Sequence, residues 1–192
     1  MGVYLVSVTA QDWSQPGEDG YGDLAAALNT ELERRRLPPY ELPRAAREAP
    51  GWFEEKVSPP MGGFVTLCRT LLTEAELSVL LDWSVLVPLA LEKTIVLPVG
   101  TAYSGEETTV AGAPQVLALA ERLADVLELP VDAIPAGENL ALTLWFLEGG
   151  AERTARARPG PWAEDRNAAF YAALYLRAAQ YSMRYSCPMT YS

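Results

Sequence analysis

Residues 163–185 constrain the fold more than any other stretch of this chain. At about 100° per residue, Arg177, Gln180 and Arg184 share one narrow polar strip of a helix, while Phe170, Tyr171, Leu174, Tyr175, Leu176 and Met183 fill much of the rest. A helix apolar over most of its circumference must be surrounded by other elements. Tyr171, Tyr175 and Tyr185 fall on one face, and such a stripe is expected to be core, with the hydroxyls reaching polar rims.

The remaining elements have to supply that surround. Residues 3–9, rich in β-branched and aromatic side chains, read as a buried strand. A polar loop follows over 10–22, broken by Pro16, Gly17, Gly20 and Gly22. Asp23 then offers a cap for a helix to about Arg36, with Leu24, Leu28 and Leu32 as its buried stripe and Pro38 and Pro39 as its stop. Residues 38–63 are a proline-rich connection. Tyr40, Trp52 and Phe53 are too apolar for a solvated linker and pin it across the body. Residues 63–72 predict a helix, and Thr73 with Glu76 spells a capping box for a second one to about Asp82. The apolar runs 84–91 and 94–97 suggest a hairpin, with Pro88 at an edge or bulge. Residues 100–112 read as a polar loop. Pro114 starts a helix with Val116, Leu119, Ala120, Leu123 and Leu127 inside, ended by Pro130. Residues 140–147, apolar on both faces, read as a buried strand or a short helix, with strand preferred, and 186–192 as a tail packed on the body. The expected fold is α+β: one compact domain over residues 1–192, a small mixed sheet packed against several helices, with a long central C-terminal helix.

Composition limits the chemistry. Of 192 residues 49% are hydrophobic, enough for a core without metal or disulfide staples. There is no histidine, so the commonest general base near neutral pH and the commonest metal ligand are both missing. Serine and cysteine nucleophiles lose their usual activator. Cys68 and Cys187 have no metal-type spacing and read as free thiols, Cys68 among apolar neighbours that disfavour a thiolate. The formal net charge of -10 disfavours nucleic acid and anionic lipid and steers basic partners toward the surface. Basic residues are almost all arginine, the bias of a GC-rich coding genome. The strongest candidate span, 77–91, is broken by Asp82 and Pro88. With no leader pattern at the start, the expected location is the cytoplasm, with no membrane contact.

The sharpest candidate site is the stretch from Asp12 to Asp23, where Glu18 and Asp19 lie among glycines beside Trp13 and Tyr21. Against the twelve-residue calcium loop, Pro16 stands where an oxygen ligand is needed and Asp23 replaces the bidentate glutamate. Against a dinucleotide loop, the glycines run G-x-x-G-x-G and carboxylates would face the phosphates. Trp162, Glu164 and Asp165 open the last helix, where acids complement the dipole. A catalytic alternative pairs them with Asp12 across a sugar bond. Ser104, before Gly105, is not a nucleophile elbow.

These residues point to a small acidic, non-catalytic interaction protein, immunity-type or regulatory, that engages a basic protein partner. Its expected contacts are Asp12, Trp13, Glu18, Asp19, Trp52, Trp162, Glu164 and Asp165, with Trp13, Trp52 and Trp162 as exposed anchors. No cofactor, metal or catalytic residue is assigned. The alternative is a small-molecule-binding or carboxylate- and tyrosine-dependent enzyme domain, its pocket between the Asp12 loop and the last helix. Homo-oligomer formation is compatible with both.

Overall fold

The computed structural model describes residues 2–17, 20–42, 52–136 and 139–192. A six-stranded mixed sheet in the order β2-β1-β6-β3-β5-β4 divides the helices into two groups. Its strands are β1 (Val3–Ser7), β2 (Glu54–Val57), β3 (Val85–Val87), β4 (Ile95–Leu97), β5 (Thr108–Gly112) and β6 (Met189–Tyr191). Alternation along the strands sends Leu5, Leu86, Ala111 and Met189 to one face and Val85, Val87, Ile95, Leu97 and Val110 to the other.

The smaller second face is covered by α1 (Ala10–Ser14) and α2 (Gly22–Arg34), with Trp13, Leu24, Leu28, Leu32 and Tyr40 as the filling. The larger first face carries α3 (Gly62–Leu71), α4 (Glu74–Leu81), α5 (Ala113–Val126), α6 (Ala141–Leu147), α7 (Gly150–Ala157), α8 (Pro161–Glu164) and α9 (Arg166–Tyr185). The chain is therefore the single compact α+β fold expected, and α9 is its central helix. Ala168, Ala169, Ala172, Ala173, Ala178 and Ala179 are all buried along α9, and their small side chains let α5 and α3 pack closely on it. The polar strip of α9 is used inside the fold. Arg177 donates to the carbonyls of Val131, Ile134 and Pro135 and to Gln180 Oε1, at 2.7–3.0 Å, fixing the turn after α5. Burial lowers the Arg177 pKa.

The capping box forms as expected: Glu76 N donates to Thr73 Oγ1 and Thr73 N to Glu76 Oε2. Five local expectations are corrected, while the tail packs on the body and does so as a strand. Residues 140–147 are not a strand but α6, because the buried carboxylate of Glu55 on β2 accepts the N–H groups of Leu142 and Thr143 and so starts a helix at the sheet edge. The hairpin of 84–97 does not form. Strands β3 and β4 each pair with β5 from opposite sides, β3 in parallel and β4 antiparallel. Strand β5 itself lies in the stretch read as loop, and β2 in the stretch read as connection. The tail is β6, bonded to β1 and β3 in the middle of the sheet. Asp23 is not the cap of α2 but lies in its first turn. Residues 43–51 of the connection lie outside the described residues. Among the described residues no helix is long and apolar enough to cross a membrane.

Candidate binding cleft

The described residues that follow β1 are held by more hydrogen bonds than the glycines among them imply. Thr9 caps α1: its hydroxyl oxygen accepts Asp12 N at 3.1 Å, and its own O–H donates to Asp12 Oδ2 at 2.7 Å. One turn of helix then swings Trp13 inward, where its ring stacks on Tyr21 at 6.3 Å and meets the edge of Tyr40 at 5.7 Å. The carbonyl of Asp12 accepts Tyr21 N, and that of Gln15 accepts Gly22 N, both at 2.8 Å. The loop therefore folds back so tightly that a Cβ on Gly20 would collide with the Gln15 carbonyl. Gly17, at φ 99, takes the left-handed conformation that lets it turn.

The facing wall is the loop between β4 and β5. A chain of hydroxyls braces it: Thr101 Oγ1 to Ser104 Oγ and Ser104 Oγ to Thr108 Oγ1, both 2.8 Å, with Thr108 donating to the Val99 carbonyl at 2.6 Å. Gly100 and Gly105 approach so closely that a side chain on Gly100 would strike the Gly105 carbonyl. Between the walls lies a cleft of about 740 Å³, lined by Gly17, Gly20 and Tyr21 on one side and Gly100, Thr101, Ala102 and Gly105 on the other.

Among the described residues no lysine or arginine lines this cleft. Residues 1–33 and 94–121, which supply both walls, contain no lysine or arginine. Asp23 stands exposed beside the first wall, and Glu106 and Glu107 beside the second.

The six of the eight expected site residues that are described do not converge. Asp12 and Trp13 stand on α1 and are not among the residues that line the cleft, and Glu18 and Asp19 lie outside the described residues. The expectation of exposed anchors is corrected at two tryptophans. Trp13 is 4% exposed and Trp162 only 1%, each held by aromatic stacking, and the Trp162 Nε1 donates to the Arg158 carbonyl at 3.2 Å. Trp52 is exposed, and its carbonyl accepts Asn139 N beside the sheet edge. Glu164 is exposed at the end of α8. Asp165 caps α9 by accepting Asn167 N at 3.1 Å and Ala168 N at 2.9 Å. Asp12 sits with the helices of one sheet face and Asp165 with those of the other. Among the described residues, therefore, Asp12 and Asp165 do not form a carboxylate pair across a sugar bond, and the cleft at the first loop faces the β4–β5 loop rather than the last helix.

The second wall was missed. Its signal was available as the cation-free stretch 94–121, but a Gly-Thr-Ala-Tyr-Ser-Gly run carries no motif of its own. Nucleophile chemistry is muted elsewhere: burial pushes the Cys68 thiol up to about 11 and the Cys187 thiol up to about 12, so both are protonated at neutral pH. Among the described residues no group of three or more His, Cys, Asp or Glu side chains is placed to hold a metal ion. Comparison with known family models, with curated proteins and with solved structures finds no match to the chain.

Proposed function

We propose that this is an acidic, non-catalytic binding protein, immunity-type or regulatory in role, that receives a basic segment of a protein partner in the glycine-walled cleft. The observation that carries the reading is the cleft of about 740 Å³ whose two walls both come from stretches without lysine or arginine. A partner lysine or arginine approaching it would be drawn by Asp23, Glu106 and Glu107, the exposed acids close in sequence to the wall residues. Complementary fields of this kind raise encounter rates and suppress wrong partners more than they add raw affinity.

The test is titration with an arginine- and lysine-rich peptide at rising salt, comparing two charge-neutralised triple variants. One carries Asp23→Asn, Glu106→Gln and Glu107→Gln at the cleft. The other carries Glu74→Gln, Asp82→Asn and Glu121→Gln on the opposite side of the sheet. The cleft variant is expected to weaken binding about tenfold or more, the loss of two or three screened charge contacts, while the control stays near the parent. Equal losses in both would reduce the effect to net charge and overturn the assignment.

A further inference from the structure

A second cleft, of about 300 Å³, opens on the other sheet face where α6 and α7 meet the start of α9. We infer that it is a binding site for a single apolar α-amino acid in its zwitterionic form. One wall is aromatic: Phe146 stands edge-on to Phe170 with ring centres 5.4 Å apart. Pro59 closes the far side, and its carbonyl is held by the Tyr171 hydroxyl. Leu147 extends the apolar lining outward and is 61% exposed.

Two opposite charges complete the lining. Arg166 opens α9 and, among the described residues, forms no ion pair. Asn167 follows it, so an amide and a guanidinium stand side by side. The backbone N–H groups there are already taken by the Asp165 carboxylate, which leaves the two side chains to receive an anion. Glu152, on α7, uses Oε1 to accept from Arg156, and Oε2 remains to accept from an ammonium. A carboxylate on Arg166 and Asn167, an ammonium on Glu152 and an apolar side chain on Phe146, Phe170 and Leu147 together describe a leucine- or phenylalanine-like ligand. The volume is at the lower end of that of ligand pockets, which suits one amino acid rather than a peptide.

The site is independent of the acidic cleft, and its test does not depend on that reading. Calorimetry on the full chain would compare leucine, phenylalanine, glutamate, leucinamide and N-acetyl-leucine, with circular dichroism to confirm the fold of each variant. Leucine and phenylalanine are expected to bind saturably, one per chain, and glutamate not at all. Leucinamide, lacking the carboxylate, and N-acetyl-leucine, lacking the ammonium, are each expected to bind about tenfold more weakly or worse, the scale of a lost charge-assisted hydrogen bond. Arg166→Gln should weaken leucine by a similar factor yet leave leucinamide unchanged, because both changes remove the same contact. Glu106→Gln, at the other cleft, should alter nothing. Absence of saturable binding by leucine and phenylalanine, or leucinamide bound as tightly as leucine, would overturn the assignment.

Discussion

Glu55 Oε2 accepts both the backbone N–H of Thr143, at 2.8 Å, and its hydroxyl, at 2.7 Å, while Glu55 Oε1 takes Leu142 N at 2.9 Å. A fully buried carboxylate on an edge strand thus serves as the remote cap of a helix that is 87 residues away in sequence. It also helps to cover the sheet edge, since Leu140 N donates to the Glu54 carbonyl at 2.7 Å.

Removing that cap leaves buried donors without a partner. Glu55→Ala is expected to lower the unfolding free energy by about 3 kcal/mol, the scale of lost hydrogen bonds to a charged group. Glu55→Gln, which keeps one acceptor oxygen, should lose about half as much. Urea unfolding of the two variants checks the order, and equal stability of all three proteins would refute the capping role.

Three helices end in a left-handed residue that is not glycine: α2 at Arg36, α5 at Glu128 and α9 at Ser186. Arg36 has φ 60, with Leu37 N bonded to the Leu32 carbonyl and Arg36 N to that of Glu33, each at 2.9 Å. Glu128 has φ 51, with Leu129 N bonded to Ala124 and Glu128 N to Asp125. Both are Schellman closures. Arg36→Gly and Glu128→Gly should each raise stability by about 0.5–1 kcal/mol, because glycine takes this conformation without steric penalty. Thermal melts showing either variant destabilised would contradict the backbone argument.

Stability should be flat near neutrality and fall on both sides. No histidine titrates there. On the acid side, hydrogen bonds from Arg34 and Arg35 hold the Glu31 carboxyl at about 2, and those from Arg122 and Thr73 hold Glu76 at about 2, against an ordinary 4.5. These groups favour the folded state while ionised, so their contribution is complete above pH 4.5 and is lost as the pH falls toward 2. On the alkaline side, burial raises Cys68 and Cys187 from 9.0 to about 11 and about 12. The folded state keeps those protons, so its advantage is complete below pH 9 and drains away as the pH rises through 11 to 12. Melting temperatures taken from pH 2 to 12 should show the plateau, and Arg122→Gln should shallow the acid limb.

Both thiols are buried and free. A chromogenic disulfide reagent should find neither in the native protein at pH 8 and both in guanidinium chloride. Rapid native labelling would show that one of them reaches solvent.

How much of this was legible in the sequence follows from element length. The helices α2, α3, α5 and α9 announce themselves because Leu24, Leu28 and Leu32, or Val116, Ala120 and Leu123, repeat over several turns. Strands β3, β4 and β6 are three residues each, too short to show alternation, and β2 is spelled Glu-Glu-Lys-Val. Helix α6 was misread because its start is specified by Glu55, far away, rather than by a neighbouring cap. Prolines marked where α2 and α5 had to stop. The left-handed Arg36 and Glu128 that close them carry no glycine signal. At the cleft, the acids of the first loop were visible, whereas the second wall is built from hydroxyls and glycines that gain meaning only by proximity. Trp13 and Trp162 looked like surface anchors because acids flank them, but chain neighbours do not fix the direction of a side chain.

The central position of β6 has a mechanical consequence. Tyr4 and Ser192 exchange both backbone hydrogen bonds at 2.8 Å, so the beginning of β1 and the end of β6 lie side by side. A force that draws these two points apart acts across the strands and breaks the ladder one rung at a time, as a zipper opens. Once β6 has peeled away, the sheet is left as two fragments, β2-β1 and β3-β5-β4, with nothing in register between them. The molecule is thus sealed along the seam that yields first under tension.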